Sequence, residues 1–196
     1  MKIKSHKFLA VFFVFTLASC SFFEYTEPEN RIHATALGID KTTGGYLLTC
    51  ETADYNSATL AVGEIFTAEG ETLETAFFEL ETAMHKTPIF LKCPVVFVGN
   101  SVSKTGILET VLFLLNQNDF SFSVRLALTD NANRILNEKT RYNLPKGVMA
   151  YEAIKKAKNK GDSLAVILNS AEFSLPVLYD TNGVLRIKEI KEFYEE

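Results

Sequence analysis

The feature that most constrains the fold of this chain is a short apolar segment at its N-terminus, which ends at a cysteine. Three lysines precede an apolar stretch from Phe8 to Leu17, and Cys20 follows three residues later. A stretch of about ten apolar residues is too short to cross a bilayer, because the hydrocarbon core requires roughly 20. We therefore interpret residues 1–19 as a signal peptide that is removed, so the domain folds from the residues after it.

Residues 17–20 read Leu-Ala-Ser-Cys and have the pattern of a bacterial lipobox. The small side chains of Ala18 and Ser19 suit a peptidase that accepts only slim residues at the cut. We predict that Cys20 becomes the first residue of the mature protein and that its thiol is the lipid attachment site. Diacylglycerol would supply the two acyl chains that stable anchoring requires. A plain secretory signal without lipidation is the alternative interpretation.

The mature chain is acidic and has the length of one domain. Cleavage before Cys20 removes three of the 20 basic residues and none of the 24 acidic ones, so the formal charge becomes −7. An acidic surface repels the phosphates of nucleic acids and anionic lipids. We therefore expect no nucleic-acid partner, and attachment to the extracytoplasmic face of the membrane through the lipid and not through a basic surface.

Apolar periodicity divides the first half of the domain into strands followed by one strong helix. The predicted strands are residues 32–39, 46–54 and 60–67. Gly44 and Gly45 favour a tight turn between the first two. The helix is predicted to begin after Thr72, its N-cap, and to stop before Pro88. Its apolar stripe consists of Leu73, Ala76, Phe77, Leu80, Ala83 and Met84.

The second half mixes strands and helices without a strict βαβ rhythm. The predicted strands are residues 93–99, 120–128 and 184–190, and the predicted helices are residues 107–115, 131–137, 149–159 and 163–169. We predict an α+β single domain with a central mixed, largely antiparallel β-sheet flanked by helices. The predicted divisions are a signal peptide (1–19), a lipidated N-terminus and tether (20–30), the folded domain (31–190) and a C-terminal tail (191–196).

No residue pattern indicates a catalytic or metal site. The Gly-x-Ser-x-Gly nucleophile motif does not occur, and the three histidines, His6, His33 and His85, are too scattered to form a metal cluster. Glu69, Glu71 and Glu74 could form an acid–base set or a calcium site. Acidic residues at a helix N-terminus more often complement the helix dipole. We therefore predict no enzymatic activity, no cofactor and no metal.

Cys50 and Cys93 lie in apolar runs, where a cysteine is most often a small buried hydrophobic residue. The sequence does not decide whether the two cysteines form a disulfide, because it does not give the distance between their Cα atoms.

Several segments in series carry a family resemblance. These segments are Arg31-Ile32, Leu37 to Lys41, Tyr46 to Thr49, Ala68 to Phe77, Val95 to Gly99, Gly106 to Leu115 and Leu175-Pro176. In this order and spacing they resemble the N-terminal domain of the Ger(x)C family, the lipoprotein C subunits of spore germinant receptors. The resemblance covers residues 31–190, which is nearly all of the mature chain.

The resemblance implies a lipid-anchored, non-catalytic receptor subunit that acts in assembly or signalling during spore germination, at the inner membrane of the spore. The implied partners are a membrane-embedded, transporter-like subunit and a larger subunit with a soluble N-terminal domain. Two other classes of protein stay open. One is a free envelope lipoprotein that binds a small solute, and the other is an envelope hydrolase with an unfamiliar site.

Three segments depart from the family pattern: Ser21-Phe22 stands where the family commonly has Trp-Asp, and we predict that the partner-docking surface lies near one of the other two. These two are Asn116 to Asp119, where the family has an arginine-containing loop, and Leu91-Lys92, where it often has Gly-His. Chains of this family normally continue through further domains, whereas this sequence ends at Glu196.

Overall fold

The computed structural model describes residues 31–54, 60–102, 104–117, 119–157, 162–170 and 172–194. The predicted signal peptide, Cys20 and the tether lie outside this part of the chain. Among the described residues, no helix combines the length and the apolar character that a membrane crossing requires.

One mixed β-sheet forms the centre of the domain. Its strands are β1 (Arg31–Thr42), β2 (Gly45–Asp54), β3 (Ala61–Gly70), β4 (Thr87–Ile89), β5 (Val95–Gly99), β6 (Arg125–Thr129), β7 (Glu172–Thr181) and β8 (Val184–Tyr194). The order across the sheet is β3-β2-β1-β5-β6-β7-β8, and β4 pairs with the start of β1. The long outer ladders are antiparallel, whereas β1, β5, β6 and β7 run parallel at the centre. This arrangement confirms the predicted α+β class with a mixed sheet.

Five helices in the described part of the chain cover the two faces of the sheet. They are α1 (Leu73–Met84), α2 (Lys104–Asn116), α3 (Ala132–Asn137), α4 (Lys146–Lys156) and α5 (Leu164–Asn169). The larger hydrophobic core contains residues of α1, α2 and α5, and the smaller core contains residues of α3 and α4. Since both faces of the central strands are covered, β5 is buried along its whole length, as a strand in a parallel sheet usually is.

The predicted turn between the first two strands is present, and the close approach of a neighbouring strand explains its second glycine. Gly45 has a φ of 142°, in the region that glycine tolerates best. A Cβ atom at this position would lie 2.1 Å from the carbonyl oxygen of Gly70. Only glycine therefore fits where the end of β3 passes the hairpin turn.

The structure differs from the predicted strand 120–128, because the regular strand begins only at Arg125. Phe120 is buried against other aromatic rings, and the N–H of Val124 donates to the carbonyl oxygen of Ser121 in a turn. The alternation of apolar and polar residues there comes from a packed loop that leads into β6.

Element ends also differ from the sequence prediction. Helix α1 stops before Pro88 as predicted, but it ends at Met84 because His85 adopts a left-handed φ of 51°, and Pro88 itself lies in the short strand β4. Helix α4 begins at Lys146, directly after Pro145 in the N-cap position. Strand β8 continues to Tyr194, so residues 191–194 extend the strand that was predicted to end at Ile190.

Candidate functional site

One end of the sheet gathers the described residues of the two segments near which the sequence predicted a docking surface. Arg31 begins β1 at this end, and β4 lies beside it. The loops that precede β5 and β6 meet here, since the N–H of Arg125 donates to the carbonyl oxygen of Pro94 over 3.1 Å. We call the surface formed by Arg31, Lys86, Leu91, Lys92 and Phe122 the tether end, because the chain enters the domain there from the predicted tether.

A buried aromatic cluster fixes the two loops of the tether end relative to each other. Phe90 stacks on Phe120 with ring centroids 4.7 Å apart and an interplanar angle of 20°. Phe77 of α1 contacts both rings, at 5.2 Å and 6.3 Å, and Phe113 of α2 lies 5.5 Å from Phe77. Such pairs favour a defined geometry beyond the burial of area. The aromatic cluster therefore anchors the segments 91–92 and 119–122 to the hydrophobic core.

Above this cluster, large apolar side chains are exposed. Leu91 is 59% exposed and Phe122 is 62% exposed. Leu91 directly follows Phe90, and Phe122 lies in the turn that follows Phe120, so both exposed side chains are close in sequence to rings that are buried in the cluster. Sequence reasoning placed the whole of residues 120–128 on a strand and missed the exposure of Phe122.

The charges at the tether end are divided between two sides. Arg31, Lys86 and Lys92 are exposed around β1 and β4. Burial lowers the pKa of His33, and the positive charges of Lys92 and Arg31 lower it further. On the side of α1, burial raises the pKa of Glu81, and the negative charge of Asp119 adds to this effect. The β1–β4 side is therefore basic, and the acidic residues lie toward the helices.

Helix α2 has an exposed apolar stripe on its outer surface. Leu108 is 42% exposed, Leu112 is 59% exposed and Leu115 is partly buried. Positions four and three residues apart lie on one face of a helix, so the three side chains form a line that runs toward the tether end. We call this line the α2 stripe. A notch of about 120 Å³ lies at its end, lined by Leu114, Leu115, Gln117, Phe120, Phe122 and Leu164.

The acidic residues Glu69, Glu71 and Glu74 belong to the surface around the start of α1. Thr72 and Thr75 form a capping box there, in which the N–H of Thr75 donates to Oγ1 of Thr72 and the N–H of Thr72 donates to Oγ1 of Thr75. These bonds provide hydrogen-bond partners for backbone N–H groups at the N-terminus of α1. Among the described residues, no group of histidine, cysteine and acidic side chains has the arrangement of a metal site.

Both described cysteines are buried free thiols. Burial raises the pKa of Cys93 to about 12 and raises that of Cys50 well above its usual range. A thiol in this state forms little of the reactive thiolate. Cys50 and Cys93 therefore act as the small apolar residues that the sequence suggested.

A buried polar network on the opposite face of the sheet was not predicted from the sequence. Glu51 is fully buried and accepts hydrogen bonds from the N–H of Lys146 at 2.7 Å and from the N–H of Gly147 at 3.1 Å. The Thr35 hydroxyl donates to the same carboxylate at 2.9 Å. The Lys146 ammonium forms a buried ion pair with Asp180. Every charged group in this network has a structural partner.

Comparison with protein families agrees with the resemblance seen in the sequence. Residues 24–173 match the spore germination protein N-terminal domain. The chain belongs to this family. The match covers the strands and helices that carry both the tether end and the α2 stripe, and it indicates a role in spore germination. No curated protein and no solved structure matches the chain.

Proposed function

We propose that this protein is a lipid-anchored, non-catalytic subunit of a spore nutrient germinant receptor and acts in receptor assembly or signalling. Its membership of the spore germination family carries the proposal. The lipobox at residues 17–20 supports attachment through Cys20 to the extracytoplasmic face of the spore inner membrane. The partners in this proposal are the membrane-embedded subunit and the larger subunit with a soluble domain.

A role without chemical turnover fits the described residues. The buried charged residues Asp40, Glu51, Lys146 and Asp180 all have hydrogen-bond or ion-pair partners within the fold. Surface depressions lie beside α1, beside the β7–β8 hairpin and at the end of the α2 stripe, and none of these three is lined by the buried ionisable groups. Carboxylates line two of these depressions, Glu69, Glu71 and Glu79 beside α1 and Asp162, Glu172 and Glu192 beside the hairpin, and no histidine, cysteine or lysine is among the described residues that line either one.

The α2 stripe is the surface that best fits a protein partner. A helix of a globular protein usually turns one apolar face to the core and a polar face to water. Helix α2 instead exposes Leu108 and Leu112. Since the stripe runs toward the tether end, a membrane-embedded partner could reach it close to the bilayer. A shared membrane raises the effective concentration of both proteins, so a modest interface suffices.

Co-purification from detergent-solubilised membranes tests this proposal when the receptor subunits are co-expressed. We expect the intact chain to capture the membrane-embedded subunit, and Leu112→Asp to weaken that capture. Thr43→Asp adds the same charge at the opposite end of β1 and should leave capture unchanged. Cys20→Ala should move the protein out of the membrane fraction or leave it uncleaved. If the lipidated chain captures neither subunit, the assembly role is wrong.

A further inference from the structure

The tether end is the part of the domain closest along the chain to the predicted lipid. Ten residues, 21–30, separate Cys20 from Arg31. An extended chain of that length reaches at most roughly 37 Å. Strand β1 runs away from this end for 12 residues, which places its other end roughly 36 Å further along the strand. The tether enters the domain at Arg31, so a tether that is less than fully extended would hold the tether end nearer to the bilayer than the opposite end.

The tether end combines two kinds of side chain that bind a membrane surface. Leu91 and Phe122 are mostly exposed on adjacent, rigidly supported loops. The three cations Arg31, Lys86 and Lys92 are exposed beside them. Apolar side chains at a membrane surface enter the boundary between headgroups and acyl chains, and lysine or arginine contacts the phosphates.

We propose that the tether end lies on the phospholipid surface, with Leu91 and Phe122 at the level of the headgroups and Lys92, Lys86 and Arg31 against lipid phosphates. This contact rests on the proposed lipid attachment and goes beyond it, because it sets the orientation of the domain. In this orientation the α2 stripe lies on the side of the domain and faces along the plane of the membrane, where a membrane-embedded partner can contact it.

The acidic net charge of the mature chain does not prevent this contact, because charge acts locally. The Debye length at physiological ionic strength is about 8 Å, which is much shorter than the domain. Arg31, Lys86 and Lys92 are exposed around β1 and β4, whereas Asp119 and Glu81 lie toward α1 and α2. The sequence predicted attachment through the lipid alone, since a net charge does not show where the cations cluster.

Tryptophan fluorescence of the lipidated full chain in vesicles tests the orientation, because the natural chain contains no tryptophan. The probes are Leu91→Trp and Phe122→Trp, with Thr43→Trp as the control at the other end of β1. In vesicles of phosphatidylcholine and phosphatidylglycerol, we expect the first two to shift to shorter wavelength and to be quenched by brominated lipid. The control should show neither effect. Lys92→Glu should reduce quenching at position 91, whereas Lys139→Glu should not.

The outcomes separate this inference from the proposed function. If the chain floats with the vesicles and positions 91 and 122 are not quenched, the orientation is wrong and the lipid anchor stands. Equal quenching at position 43 would also overturn the orientation. A chain that does not float would overturn the lipid anchor and the inference with it. Loss of quenching when the membrane-embedded subunit is added would assign the tether end to that protein and overturn the lipid contact.

Discussion

At the scale of single residues, Glu51 shows how a buried carboxylate can organise a fold. It lies on β2, yet it accepts the backbone N–H groups of Lys146 and Gly147 at the start of α4. The first N–H groups of a helix have no partner within the helix, so Glu51 supplies what an N-cap side chain normally would. Pro145 occupies the N-cap position and cannot do this itself.

Glu51→Gln should flatten the pH dependence of the melting temperature. Glutamine keeps one carbonyl oxygen, so one N–H at the start of α4 loses its acceptor, at a cost of about 1–3 kcal/mol. Burial raises the pKa of Glu51, while the hydrogen bonds from Lys146, Gly147 and Thr35 act in the opposite direction. The folded protein therefore holds this proton to a higher pH than the unfolded chain does.

The sign of the pH effect follows from that difference. The stabilisation that the folded state gains from holding the Glu51 proton is complete below the ordinary glutamate pKa of about 4.5. It falls as the pH rises through the higher pKa that Glu51 has in the folded state. The natural protein should lose stability across this window relative to Glu51→Gln, as measured by thermal unfolding at a series of pH values. Glu69→Gln, an exposed change on the neighbouring strand β3, is the control and should follow the natural profile. If the stability of Glu51→Gln changes with pH in the same way as that of the natural protein, the assigned direction of the Glu51 pKa shift is wrong.

At the scale of elements, α1 shows a direct relation between sequence pattern and packing. Its buried residues are Leu73, Ala76, Phe77, Leu80 and Met84. This stripe was predicted from spacing, because residues three and four apart share one face of a helix. The two adjacent phenylalanines have opposite environments, since Phe77 is 7% exposed and Phe78 is 65% exposed.

Phe77→Ala should destabilise the protein far more than Phe78→Ala, although both remove the same side chain from the same helix. Truncation of a buried phenylalanine costs about 3–5 kcal/mol, and Phe77 also contacts three other rings of the aromatic cluster. Chemical denaturation of both variants measures the difference. Equal losses of stability would show that the face of α1 is assigned incorrectly.

At the scale of the whole molecule, one buried ion pair joins distant parts of the sheet. Lys146 begins α4, which Glu51 holds against β2, and its ammonium pairs with Asp180 near the end of β7. Asp180 also accepts the N–H of Gly183 in the turn before β8. The two outer regions of the sheet are therefore linked through α4.

Asp180→Ala should lower the stability of the entire domain in one cooperative transition. The change leaves the fully buried ammonium of Lys146 without its partner, and the loss of one member of a buried pair costs about 3–5 kcal/mol. Asp130→Ala, which removes an exposed carboxylate that accepts from Asn100, is the matched control and should have little effect. The double variant Lys146→Met with Asp180→Asn should recover part of the stability. A small loss for Asp180→Ala would show that the pair contributes little.

Sequence alone could predict the elements whose periodicity is strong. The hairpin of β1 and β2, the central strand β5, and helices α1, α2, α3 and α5 were all expected close to their observed positions. Short elements and packed loops were harder to predict. Strand β4 has only three residues, and the loop from 120 to 124 mimics a strand because two of its apolar side chains, Phe120 and Val124, turn into the core.

The candidate site was predicted in part. The segments 91–92 and 116–119 were selected because they differ from the family pattern, but their proximity depends on the parallel arrangement of β5 and β6 and on the stacking of Phe90 with Phe120. The exposure of Leu91, Leu112 and Phe122 could not be read from apolar patterns, since a pattern marks a residue as apolar without showing whether a partner element covers it.

The sequence by itself determined the family, the fold class and the local elements, because these depend on spacings of three, four or two residues and on motifs within short segments. Only the tertiary structure decided which charges are buried and which apolar side chains stay outside. Glu51 contacts Lys146 from 95 residues away, and the tether end joins residues from β1, from the loops before β5 and β6, and from the segment after α1. Such contacts arise from the packing of segments that are distant in sequence, and the spacing of residues within one segment does not show that packing.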